Sequence, residues 1–178
     1  DVYKRQARRG ILWLLILVLA NGLTTKVIAM NDQILKEIVL LAAFIPLLIG
    51  TGGNVGAQSS TVVIRGLSTQ KLKSMGAFKV VVKEAITGAL LGILMMLVVF
   101  PFAWWQGEGP LIASAVGISL ISITTLAATA GAILPLLFER MGLDPALMSS
   151  PFITTVTDIA GVFIYLSTAN WLLNSSIL

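Results

Sequence analysis

The sequence predicts an all-α integral membrane protein of five transmembrane helices, with almost nothing left over for a soluble domain. Three observations predict it. Hydrophobic residues fill 57% of the 178 positions and charged residues only 11%, where soluble domains carry roughly 25% charge. Mean hydropathy is +0.96, so the bilayer is the solvent this chain suits. The apolar residues are also gathered into runs of about 20, the length that crosses a hydrocarbon core, with short polar connections between them.

Taken in order, the first run covers 11–30. It follows Arg8 and Arg9, as the apolar stretch of a secretory signal would. It continues through Ile28 to Met30 without a small-residue cleavage pattern, and reads as a first span. The polar opening DVYKRQARR reads as the cut end of something larger or as a foreign remnant. The remaining spans fall at about 37–64, 80–104, 110–138 and 151–173. The connections NDQILK, RGLSTQKLKS, WQGEG and ERMGLDPALMSS are short, so residues 10–178 form one pore-sized domain without a linker or internal repeat.

An odd number of spans puts the termini on opposite sides. With the N-terminus inside, the inner set of basic residues is Lys4, Arg5, Arg8, Arg9, Arg65, Lys71, Lys73, Lys79, Lys83 and Arg140, against Lys26 and Lys36 outside. Ten against two is a strong bias under the positive-inside rule. It predicts a multi-pass protein of the plasma membrane with a cytoplasmic N-terminus and an outer C-terminus. Trp104, Trp105 and Trp171 then fall near outer helix ends, where interfacial aromatics belong. The same clustering explains the net charge of +4 without a nucleic-acid partner.

Catalysis finds little to work with. Neither histidine nor cysteine occurs, which removes the commonest general base, soft-metal ligands and disulfides. Ser–Lys catalysis lacks a lysine at membrane depth, paired intramembrane aspartates are absent from one chain, and the glycine-rich stretch lacks the GK[ST] ending of a phosphate loop. The chain does not read as an enzyme.

Polar chemistry concentrates in two places. The second span is interrupted by GTGGNVGAQSST from Gly50 to Thr61. If this stays helical, Gly50, Asn54, Gln58 and Thr61 share one face. Gly52 and Gly56 form a GxxxG pair that helix packing alone would explain, whereas Asn54 and Gln58 favour a pore or substrate path. The fifth span holds Asp158, the one acid well inside any span, where an aspartate at a helix centre costs roughly 2.5–3.5 kcal/mol. With Pro151 in the first helical turn, it lies about 10 Å from the cytoplasmic end. No lysine or arginine lies at similar depth, so a mobile cation is the favoured counter-charge; a buried acid bonded to threonine or asparagine is the alternative. Thr154, Asp158, Gly161 and Tyr165 share one face there. The hydroxyls of the fourth span, the pair Gly88 and Gly92, and Glu84 at the inner interface carry plainer readings as packing and solvated-end residues.

The stretches GGNVGAQSSTVVIRGLS and LDPALMSSPFITTVTDIAGVFIYL together resemble the MgtE family of magnesium channels and transporters, over nearly the whole chain. The resemblance implies a homodimer whose ion path runs between the second and fifth helices of both subunits. Asp158 matches the family's intramembrane magnesium-binding aspartate, and Asn54, Thr154 and Gly161 match positions along that path. Asp144 matches a regulatory magnesium position whose other ligands come from cytosolic parts. The family's cytosolic N-terminal and CBS sensor domains have no counterpart in these 178 residues, and residues 1–9 look like the tail of the helix that joins them to the pore.

The chemistry fits: Mg²⁺ sheds water reluctantly and binds through one or two carboxylates. The expected activity is therefore conduction of hydrated Mg²⁺. An ion-coupled carrier and a non-transporting membrane assembly subunit are the rival readings.

Overall fold

Lipid offers backbone groups no hydrogen-bond partner, so apolar runs of this length are forced into helices that satisfy themselves. The computed structural model describes residues 2–37, 39–69 and 75–175. Its elements are α1 (Val2–Met30), α2 (Asp32–Glu37), α3 (Val39–Ser68), α4 (Ala77–Ala103), a π-helical turn (Trp104–Glu108), α5 (Gly109–Arg140) and α6 (Pro145–Ser175). Lys71 and Lys73, counted above among the inner charges, lie outside the described residues.

Among the described residues, four helices are long and apolar enough to cross a membrane; they coincide with α3, α4, α5 and α6. The first expected span falls on α1, whose apolar part among those residues, Leu17–Met30, is shorter. α1 continues as one helix from Val2. Its later end meets the core through Val27 and Ile28, while Leu14, Val18, Leu19 and Leu23 are exposed, as side chains facing lipid would be.

The connections are tighter than hydropathy suggests. Between α5 and α6, only Met141 to Asp144 lie outside a helix. Gly142 has φ +72°, the left-handed conformation that glycine adopts at low cost. Its amide bonds Glu139 O at 3.0 Å and Leu143 N bonds Phe138 O at 2.9 Å, the Schellman pattern that ends a helix. Two residues later Asp144 Oδ1 accepts from Ala146 N at 2.9 Å, and Pro145 occupies the first helical position, where its missing N–H costs nothing. Pro151 is therefore well inside α6, and not in its first turn as hydropathy implied. Asp158 lies about 20 Å along the helix from Pro145, and about 14 Å from Ser149, where the membrane-length part of α6 begins.

α5 is the central helix, packed by α3, α4 and α6. Between helices in lipid, close packing of small residues replaces hydrophobic drive, and α5 buries Ala113, Ala115, Gly117, Ala127, Ala128, Gly131 and Ala132. A Cβ on Gly88 of α4 would come 2.5 Å from Thr124 O, and one on Gly92 would come 2.6 Å from Ile121 Cα. These contacts, with Gly117 against Met96, make α4 and α5 an antiparallel pair. Three α5 hydroxyls close back on their own helix: Thr124 Oγ1 donates to Leu120 O (2.8 Å), Thr125 Oγ1 to Ile121 O (2.6 Å) and Thr129 Oγ1 to Thr125 O (2.6 Å). Thr124 is fully buried, beside Gly92 of α4. The main core joins Leu41, Phe44 and Leu48 of α3 to Val116, Leu120 and Ile123 of α5 and to Val162, Tyr165 and Leu166 of α6.

Candidate ion-binding site

The glycine-rich stretch of α3 does not unwind. Gly50 to Thr61 lies within one continuous helix, and at 100° per residue its two residue classes separate onto opposite faces. Gly52 and Gly56 face inward: a Cβ on Gly52 would meet Ile123 Cγ2 at 2.6 Å and Thr157 Cβ at 3.7 Å, and one on Gly56 would meet Ile153 Cγ2 at 2.5 Å and Ala127 O at 3.1 Å. One turn on, Ser59 Oγ donates to Ala128 O at 2.9 Å. Gly50, Asn54, Gln58 and Thr61 are all exposed on the other side. Packing and polar access are thus not alternatives here, because one helix presents both.

Gly52 opposite Thr157 and Gly56 opposite Ile153 also set the register of α3 against α6. The helices run antiparallel, with Asn54 level with Thr154 and Thr155, and Asp158 level with Thr51. Thr157 is fully buried and turns its Oγ1 to Ile153 O and Thr154 O, both at 2.9 Å. Thr154 is exposed and donates to Pro151 O at 3.0 Å.

Asp158 is half-buried. It makes no hydrogen bond or ion pair with another described residue, so no described threonine or asparagine satisfies the carboxylate. Among the described residues no three acidic side chains come together.

The expected stripe along α6 divides. Thr154 and Asp158 stay toward the open side, while Gly161 and Tyr165 turn into the bundle. A Cβ on Gly161 would lie 3.7 Å from Ile123 side-chain atoms, and the Tyr165 hydroxyl is buried without a partner among the described residues. Gly161 is therefore buried in contact with α5. Asp144, fourteen residues before Asp158, is the α6 cap described above and lies about 21 Å away along the helix. Along the helix axes Asn54, Thr154 and Asp158 thus lie at similar heights, Gly161 stands about one turn beyond Asp158, and Asp144 is distant from all of them.

One polar side chain acquires a position that hydropathy did not suggest. Glu84, expected as a solvated end residue, is half-buried about 10 Å into α4. It lines a cleft of about 100 Å³ between α3 and α4 with Gln58, Ser59 and Thr87. Gln58 borders both this cleft and the exposed polar face of α3.

The chain is similar to known proteins over most of its length. The MgtE family profile, described as a divalent cation transporter, matches residues 45–168, which includes both polar stretches. The chain is 40% identical over 163 residues to a magnesium transporter MgtE of Thermus thermophilus, covering 92% of this chain and 36% of that protein. It is 34% identical over 170 residues to that of Enterococcus faecalis, covering 93% and 37%. For that of Bacillus subtilis the identity is 32% over 170 residues, covering 95% and 38%. The chain spans little more than a third of the length of these curated relatives.

Proposed function

This chain belongs to the MgtE family of divalent cation transporters, and from that premise we propose that it is the pore part of a magnesium channel, working as a homodimer. The observation that carries the reading is Asp158: a half-buried carboxylate within a membrane-length helix, unpartnered among the described residues, level with the exposed polar face of α3.

In this reading α1 is a fifth span and the basic N-terminal segment is cytoplasmic. Two copies meet across the exposed faces of α3 and α6, which shields Asn54, Gln58 and Thr154 from lipid and presents Asp158 twice on the axis. At about 5 Å, through one layer of water, each carboxylate attracts a divalent cation by roughly 6–7 kcal/mol at an effective dielectric of 20. Two such attractions offset the cost of holding two acids at membrane depth. The ion keeps most of its water, as Mg²⁺ prefers, and the amide of Asn54 and hydroxyl of Thr154 bond to that water rather than to the metal. Because no ligand enters the coordination shell tightly, the ion can move on.

The test is Mg²⁺ flux into liposomes holding the purified chain. A channel passes Mg²⁺ down its gradient, at a rate set by membrane potential and indifferent to a proton or sodium gradient. Flux that stops without such a gradient marks a coupled carrier. Flux unaffected by Asn54→Leu with Asp158→Leu marks a non-transporting role for both residues.

A further inference from the structure

A second feature lies at the other side of the bundle. Phe78 and Val81 of α4, with Ile133, Leu136 and Leu137 of α5, line a groove of about 410 Å³ that ends at Arg140. Ile133 is two residues, or about 200°, from Gly131, whose face meets Gly56 of α3. The groove therefore opens away from α3 and its polar face. Val81 and Leu136 form its floor against the small core of Val63, Val80 and Ala132. Phe78 is 83% exposed, and Ile133 and Leu137 about half. Both walls belong to membrane-length helices, so acyl chains are what surrounds them.

The mouth has the opposite character. Arg140 is exposed and makes no ion pair or hydrogen bond with another described residue. Lys79 is exposed beside Phe78, and Arg140 is the one charged residue among those that line the groove. α4 begins at this same end behind Gly76, without a side-chain cap, so its first amides add positive potential. An apolar trough with a cationic mouth at the membrane interface matches one amphiphile.

We infer that this groove binds an anionic phospholipid, with the headgroup phosphate at Arg140 and one acyl chain between α4 and α5. Basic pockets between transmembrane helices recognise anionic headgroups in this way. Taking about 30 Å³ for each water-sized group, the volume admits about a dozen methylenes, most of one chain. The arrangement does not depend on which side of the membrane the mouth faces, nor on the proposed ion path.

The test is native mass spectrometry of the full chain in detergent, titrated with phosphatidylglycerol or with phosphatidylcholine of matched chains. Wild type should retain phosphatidylglycerol about fivefold more tightly, the worth of one arginine at an anionic surface. Arg140→Gln should erase that preference and leave phosphatidylcholine binding unchanged, and Arg140→Lys should keep part of it. Leu137→Trp, which fills the trough, should weaken both lipids. Lys26→Gln removes the same charge from an exposed site on α1 and should change nothing. Equal retention of the two lipids by wild type would overturn the inference. So would a preference that survives Arg140→Gln, or one that Lys26→Gln erases as fully. Inorganic phosphate binding as tightly as the lipid would overturn it too, since the trough would then contribute nothing. Should Arg140→Gln fail to fold, Leu137→Trp decides: undiminished lipid retention refutes the site.

Discussion

A Cβ added to Gly56 would stand 2.5 Å from Ile153 Cγ2, so the Ile153 side chain of α6 packs directly on the α3 backbone beside the proposed ion path. This contact, with Gly52 against Thr157 one turn away, sets Asn54 level with Thr154. The height of Asn54 against α6 is thus set by residues that need never meet an ion.

Gly56→Ala is accordingly expected to destabilise the fold by about 1–3 kcal/mol, the cost of overpacking a tight contact. Gly56→Leu should be worse and should abolish flux. Gly53 has nothing within 4 Å of a built Cβ, so Gly53→Ala should be neutral or slightly stabilising through helix propensity. Thermal unfolding in one detergent compares all three. Equal losses at 53 and 56 would mean that α3 does not pack through the face described.

The homodimer predicts proximity across the exposed face of α3. The chain has no cysteine of its own, so single substitutions report cleanly. Asn54→Cys and Thr154→Cys should each cross-link to a second copy with a short bis-maleimide in membranes. Phe78→Cys, exposed on the far side of the bundle, should not. Cross-linking at 78 but not at 54 would place the dimer axis elsewhere.

Asp144 has a structural duty that its side chain already performs. Asp144→Ala should cost about 1 kcal/mol as a lost cap, while Asp144→Asn and Asp144→Ser keep an acceptor for Ala146 N and should cost little. The ordering should be the same with and without Mg²⁺ when melting is followed in both. A loss in Asp144→Asn that appears only with Mg²⁺ present would assign the residue to a metal.

Orientation is tested at the two ends of the α5 hairpins. Glu139→Cys, beside the Gly142 turn, should react with an impermeant maleimide only when the cytoplasmic side is open. Trp105→Cys, exposed in the π-helical turn, should react in intact cells. The reverse pattern would invert the topology that the basic residues predict.

Asp158 and Asn54 stand out in the sequence because each is a strongly polar residue in an apolar run, where the cost of burial makes an accident expensive. The two-faced character of α3 was also present in the spacing, since residues 52 and 56 lie about half a turn from residues 54 and 58. Hydropathy windows could not place the start of α6, because Asp144 and Pro145 act through a cap bond and a fixed φ rather than through apolarity. The signal was there in the MGLDP order, a left-handed glycine followed by an Asp-Pro start. Gly161 shares a helical face with Asp158 on paper, yet the direction of that face depends on where Ile123 of α5 lies. Glu84 was out of reach for the same reason, because the walls of its cleft come from a helix some 25 residues earlier. Contacts between helices decide such cases, and one helix's own spacing does not contain them.

The most direct test of the account is Mg²⁺ flux and binding by Asp158→Asn, measured on protein first shown to be folded and of the same oligomeric state as wild type. The substitution keeps size and hydrogen bonding and removes the charge, so each copy loses most of an attraction of roughly 6–7 kcal/mol. Folding should survive, because removal of a buried charge relieves a desolvation cost. The account predicts a fall in divalent affinity of several orders of magnitude, with loss of flux. It also predicts that cobalt hexaammine, which mimics a hydrated ion, competes with Mg²⁺ in wild type but not in the variant. Flux and affinity equal to wild type in the folded variant would show that Asp158 is structural and that the proposed path is wrong.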